Sequence, residues 1–220
     1  KPGFMLINNP WGESNQKGLT TAVSASNIAS AGSEKFEDKD VDMTPQLSRL
    51  KAGGADSIIL VANAGPGAQM MKSLGRMNWN VPVISHWGIS GGRFPELAGA
   101  MAEKVVFVQT YSFFGKQSDI GKKAIDMLTK KYSDIKTVSD IVPPVGYANA
   151  IDAMHLTALA ISAGRGTGGD QIREGFYKIG EYKGLIKTYS RPFSEQNHDA
   201  LTAGDYVMVA YHGSQIVPVK

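Results

Sequence analysis

Short apolar runs alternate with helical stripes over the first two thirds of the chain. Phe4-Met5-Leu6-Ile7 is a compact apolar run, too short for a helix and stopped by Asn8-Asn9-Pro10. It reads as a buried strand. Residues 12–31 read as a helix, with Leu19 and Val23 on one face and Gly32 as its stop. Residues 33–37 read as a weak second strand. At Thr44-Pro45 a hydroxyl N-cap precedes a proline at the first helical position, a helix start. Met43, Leu47 and Leu50 then lie at i, i+4, i+7 as one apolar stripe. Further strands are predicted at 57–61, 81–84 and 105–108. Met70, Leu74 and Met77 stripe a helix between the first two of these, and Ile120, Ala124 and Leu128 stripe one over about 117–131.

This alternation predicts an α/β fold, a Rossmann-like parallel sheet sandwiched by helices. In such sheets ligands bind outside the carboxyl ends of the strands, near the switch point. That rule selects residues 8–12, 62–65, 85–88 and 109–111. These segments are rich in Asn, Trp, His, Ser and Gly, polar and aromatic groups suited to holding a solute. An enzyme would place a nucleophile, a paired carboxylate or a cofactor fingerprint there. No catalytic residue is assigned, and the chain is not expected to be an enzyme.

The pattern changes after residue 140. Residues 145–163 read as an alanine-rich helix with Ile151, Met154, Leu159 and Ile161 spread around it, so burial on more than one side is expected. A shorter helix follows at 171–179. β-runs are predicted at 186–189, 206–211 and 216–219, with His212-Gly213-Ser214 as the turn of a terminal hairpin.

The composition of the 220-residue chain, with 42% hydrophobic and 20% charged residues, is that of an ordinary globular protein. The net charge is +3 and the basic residues are scattered; Lys122-Lys123 and Lys130-Lys131 read as a solvated helix face. No nucleic-acid partner is expected. The lack of cysteine removes thiol catalysis, disulfides and thiolate metal sites. No apolar run approaches the roughly 18 residues of a membrane span. The abrupt start at Lys1-Pro2-Gly3, without a signal peptide, reads as a trimmed or mature fragment.

Several motif-like strings have plainer readings. Residues 164–169 fit a dinucleotide-binding glycine pattern but follow a long helix rather than a strand. Gly164 is read as a helix C-cap and Asp170 as the next N-cap. Residues 88–92 lack a P-loop lysine and read as a flexible ligand-side loop. His86, His155, His198 and His212 share no metal-ligand spacing, so no metal and no cofactor are expected. Ser194, His198 and Asp199 are crowded into one loop, poorly placed for a triad. Asp152 and His155, at i, i+3, read as a hydrogen-bonded pair at a packing seam.

The order of these features resembles the type I periplasmic solute-binding proteins of the leucine/isoleucine/valine-binding family. The likeness rests on residues 4–7 followed by Trp11-Gly12, on residues 41–47 with Gln46-Leu47, and on residues 51–56 before the run at 57–60. It continues in residues 146–153 and in Phe193-Ser194 with His198-Asp199. The resemblance implies two α/β lobes joined by hinge strands that close on a solute and deliver it to the membrane permease of an ABC importer. It implies that residues 1–108 and 185–220 form the second lobe and 112–182 the remaining part of an incomplete first lobe. Hinge crossings fall near 109–112 and 182–186. It further implies a periplasmic protein, or one lipid-anchored on the outer face of the membrane.

Carried over by position, Trp11, Asn63 and Trp87 face the ligand. Amino-acid binders commonly have a carboxylate at the position of Trp87. An indole there points away from an α-amino acid. Trp11, Trp87 and His86 instead point to an aromatic or amphipathic solute with a carboxylate engaged by His86. A ligand-sensing domain of a regulator or receptor with the same fold is the alternative. An incomplete lobe would leave apolar surface open, so self-association of the truncated chain is expected.

Overall fold

A computed structural model describes residues 1–219. The first elements are β1 (Pro2–Ile7), α1 (Pro10–Ala25), β2 (Gly32–Phe36), α2 (Thr44–Ala52), β3 (Ser57–Val61) and α3 (Ala64–Arg76). β4 (Val83–Ser85), a 3-10 turn (Trp87–Gly91), α4 (Phe94–Ala98) and β5 (Val105–Gln109) follow. Then come α5 (Asp119–Lys131), α6 (Pro144–Gly164), α7 (Gly169–Tyr177), β6 (Glu181–Lys183), β7 (Thr188–Ser190), β8 (Val207–His212) and β9 (Gln215–Pro218). The chain divides into two units, one of Lys1–Val108 with Met208–Lys220 and one of Gln109–Val207.

The first unit carries a seven-stranded sheet ordered β2-β1-β3-β4-β5-β8-β9. The β2-β1, β1-β3, β3-β4 and β4-β5 pairs are parallel, and β8-β9 is an antiparallel hairpin. Phe4 pairs in register with Ile59, Ile59 with Ile84 and Ile84 with Val106. These side chains therefore share one face. Leu19, Val23 and Trp11 of α1 pack over Phe4, Leu6 and Val61 on that face. Beyond α1 the face opens, and Ile84 is 42% exposed. The opposite face places Met5, Ile58, Leu60, Val83, Val105 and Phe107 at zero to two per cent exposure. The stripe Met43, Leu47 and Leu50, together with Met70 and Leu74, is buried as its spacing predicts.

Three local expectations are corrected. α1 starts earlier and ends earlier than predicted: Asn9 caps it by accepting from Gly12 N at 3.0 Å, and it stops at Ala25, before Asn27 at φ 55°. Thr44 is not the N-cap of α2. Its backbone N–H and hydroxyl both donate to Asp42 Oδ1, at 3.1 and 2.6 Å, so Asp42 performs the local capping chemistry. Residues 88–91 are not an irregular loop: they lie in the 3-10 turn Trp87–Gly91, with Ile89 and Ser90 buried, and Gly92 follows it.

The second unit contains the helices α5, α6 and α7 and the β6-β7 hairpin. Phe113, Leu128, Ile135, Ile141, Ala148 and Leu185 form one cluster, and Leu156, Ala160, Ile179 and Tyr189 another. α6 buries one side only, through Ala148, Asp152, Leu156 and Ala160, while Met154 is 71% and Leu159 40% exposed. This corrects the expectation of burial on several sides. The glycine string after α6 is explained by packing. A Cβ on Gly164 would stand 2.0 Å from Gln171 O, and one on Gly175 1.9 Å from Ala160 O. α6 and α7 cross at these glycines. Arg165, in the left-handed region, is the residue after α6, and Gly168 precedes α7, so neither Gly164 nor Asp170 is the cap.

The family resemblance implies a return to the first unit at about residue 185; in the structure the first unit resumes at Met208. Asp152 ties the start of the intervening segment to α6. Its buried carboxylate accepts from Leu185 N at 2.6 Å, Ile186 N at 2.9 Å and Tyr189 Oη at 2.9 Å. That grip holds the β6-β7 hairpin on α6. His155 Nδ1 meets Tyr182 Oη of the same hairpin at 2.7 Å. Instead of pairing with each other, as their i, i+3 spacing suggests, Asp152 and His155 each bind the hairpin across the seam.

Candidate functional site

β1 has its neighbours β2 and β3 on opposite sides, so the strand order reverses direction at β1. The crevice at the carboxyl ends of the strands beside such a reversal is where open α/β sheets bind ligands. The chain leaves β1 through Asn8-Asn9 and turns at once into α1. Gly12 makes the sharp turn feasible, because a Cβ there would lie 1.8 Å from Ile7 O. Trp11 is thereby fixed at the strand end, half-buried, with its carbonyl accepting from Asn15 Nδ2 at 2.9 Å.

β4 ends beside it. Ser85 Oγ donates to Leu60 O at 3.0 Å, and His86 N donates to the same carbonyl at 3.1 Å, so β3 pins the exit of β4. The chain then enters the 3-10 turn, where Ser90 Oγ donates to Trp87 O at 2.7 Å. Three rings meet as a result. Trp11 and His86 have centroids 5.1 Å apart at 77°, edge to face, and His86 and Trp87 are 4.4 Å apart at 56°. Such offset and edge contacts favour defined ring positions.

Gly88 closes the cluster from beneath. Its N–H donates to His86 Nδ1 at 3.3 Å. A Cβ on Gly88 would be 2.6 Å from Ala62 O and 2.8 Å from Trp11 Cη2. The ends of β1, β3 and β4 are therefore packed together at one point. Burial lowers the His86 pKa below its ordinary value. Desolvation disfavours the charged form, so the site favours the neutral imidazole.

The structure thus brings together Trp11, His86 and Trp87. Asn63 stands at the neighbouring end of β3, exposed, in the position before α3, and makes no side-chain capping hydrogen bond. Two residues that lie in the selected segments but are not singled out by the sequence complete the arrangement. Gly88 sets the ring spacing, and its signal was a small residue directly after an aromatic at a strand end. Asn9 caps α1, and its signal was Asn-Pro at a helix start.

The cluster offers aromatic faces and a neutral imidazole. Elsewhere, Ser194 Oγ accepts from Gln196 N and Asn197 N, and His198 Nε2 pairs with Tyr177 Oη at 3.0 Å. The triad letters of that loop are engaged with other partners. Among the described residues no helix is long and apolar enough to cross a membrane.

A family model described as a periplasmic binding protein matches residues 2–211. No curated protein sequence matches significantly. Solved structures do. A type 1 periplasmic binding protein from Bordetella pertussis is 19% identical, with a TM-score of 0.82 over 99% of this chain and 61% of its own. The leucine binding protein LivK from Thermotoga maritima is 14% identical, with a TM-score of 0.80 over 100% of this chain and 59% of its own. The substrate binding protein LivJ from Streptococcus pneumoniae, solved with isoleucine, is 19% identical, with a TM-score of 0.73 over 98% of this chain and 58% of its own. At these identities the likeness is one of fold. The chain spans about three fifths of the length of these neighbours.

Proposed function

This chain belongs to the periplasmic binding protein family, and on that premise we propose that it is the solute-binding component of an ABC importer. It takes a small organic solute at the carboxyl ends of β1, β3 and β4 and delivers it unaltered to a membrane permease. It works in the periplasm or tethered by lipid to the outer face of the membrane. The observation that carries this reading is the ring cluster of Trp11, His86 and Trp87 at the strand ends beside the sheet's reversal.

The solute class follows from the same rings. The neighbours named for leucine or solved with isoleucine handle amino acids. A buried ammonium requires a charged or multiply hydrogen-bonded partner. Trp87 supplies only an indole face, and cation–π attraction replaces a small part of that requirement. An aromatic or amphipathic carboxylate suits the site better, its body against Trp11 and Trp87 and its acid at His86. Asn63, exposed at the end of β3, serves in this reading as a further polar contact.

The reading is tested by titrating the full-length protein with a panel of aromatic carboxylates and branched-chain amino acids, following heat and indole fluorescence. Bound solute is then recovered and weighed by mass spectrometry. Tight binding of an aromatic acid, recovered intact, is the expected result. Preference for an α-amino acid would contradict the solute class, and a chemically changed product would contradict the receptor role.

A further inference from the structure

His86 is not merely a ring between two indoles. A neutral imidazole has one donor nitrogen and one acceptor nitrogen, and the hydrogen bond at one fixes the role of the other. The N–H of Gly88 can only donate, and it points at His86 Nδ1 from 3.3 Å. Nδ1 must then be the unprotonated nitrogen. Gly88 has little freedom to turn away, being packed against Ala62 O and Trp11. The ring cannot easily flip either, with Trp11 edge-on at 77° and Trp87 inclined at 56°. Among the described residues Nε2 makes no hydrogen bond.

We propose that His86 is the specificity-determining donor of this site: Gly88 N–H locks its Nδ1 as an acceptor, so its Nε2–H is offered to an oxygen of the solute. The group selected is a carboxylate or carbonyl, which can accept, and an ammonium or amine, which arrives as a donor, is rejected. Gly88 is the positioning residue, acting through His86. This deepens the proposed function and rests on the solute lying at the ring cluster.

Two substitutions separate the nitrogens. In His86→Asn the amide oxygen reaches the place of Nδ1 and keeps the Gly88 contact but leaves no donor at Nε2. In His86→Gln the amide nitrogen reaches the place of Nε2 and restores a donor. The probes are benzoate and benzylamine, matched in ring and opposite in hydrogen-bonding sense, titrated into the full-length protein and both variants. Loss of a hydrogen bond to a charged acceptor corresponds to a weakening of about tenfold or more. Benzoate is expected to weaken by about that factor in His86→Asn and to recover in His86→Gln, while benzylamine binds none of the three. Unchanged benzoate affinity in His86→Asn overturns the inference, as does benzylamine binding as well as benzoate.

A second measurement needs no solute. The side-chain nitrogens of His86 in 15N-labelled full-length protein distinguish the tautomers by chemical shift. A protonated Nε2 and bare Nδ1 are expected, and a proton on Nδ1 overturns the inference whatever the solute proves to be. If the nitrogen spectrum is as expected but benzoate fails to bind the wild type, the tautomer stands. The proposed solute class then falls, and with it the assignment of His86 as its selector.

Discussion

Gly88 lies so close to Trp11 that a methyl group on its α-carbon would stand 2.8 Å from the indole Cη2, with Ala62 O only 2.6 Å away on the strand side. The Ala62 carbonyl cannot yield, so the turn at residue 88 must shift away from it, and Trp11 must move as well. Overpacking of this kind costs about 1–3 kcal/mol. Gly88→Ala is expected to lower the urea midpoint accordingly and to shift the indole emission. Gly65→Ala is the control, since a Cβ there meets nothing within 4 Å. It lies within α3 and should be neutral or mildly stabilising.

The His86 pKa is lowered by burial, so the unfolded chain takes up a proton at higher pH than the folded one. Stability from this group is complete above the unfolded value of about 6.5. It is lost as pH falls from there toward the folded value. Urea midpoints should therefore decline between about pH 7.5 and pH 5 in the wild type. The decline should be shallower in His86→Asn. Equal slopes in the two proteins would remove His86 from the account.

Asp152 accepts two backbone N–H groups and the Tyr189 hydroxyl while itself almost wholly buried. Replacing it with Ala strands three donors, and hydrogen bonds to a charged group contribute about 1.5–3 kcal/mol each. Asp152→Ala is expected to destabilise the second unit by about 3 kcal/mol or more. Amide exchange at Leu185 and Ile186 should accelerate before exchange in the cluster of Phe113 and Leu128. Unaltered protection at Leu185 would show that the hairpin is held by other means.

The same residue marks the boundary of what was legible beforehand. β1, β3 and β5 are apolar runs with no helical period, and the sequence shows them nearly residue for residue. The rule about strand ends selects the segments 8–12 and 85–88, the family resemblance singles out Trp11 and Trp87 within them, and the fold brings these rings together with that of His86. The attachment of residues 185–189 to α6 is not legible, because it depends on a carboxylate 33 positions upstream of Leu185. β6, Glu181–Lys183, has two charged residues in three and no apolar pattern. α6 misled through its apolar circumference, which the described residues cover on one side. The start of α1 was written in Asn9-Pro10, a signal read only as the end of a strand.

Open apolar surface has a consequence for the isolated 220-residue chain. Ile84 is 42% and Met208 38% exposed in the first unit, and Met154 is 71% exposed in the second. Such surface favours association. Light scattering at rising concentration is expected to show mass above 23.6 kDa. Ile84→Lys combined with Met154→Lys should reduce it. A clean monomer at high concentration in the unsubstituted chain would refute this.

The central claim is that solute is gripped by the ring cluster at the strand ends. It is tested most directly by calorimetric affinity for the best-binding aromatic acid in full-length wild type and Trp87→Ala. Loss of a buried aromatic contact predicts weakening of about tenfold or more, with the fold retained. An affinity unchanged by removal of the indole would contradict the account.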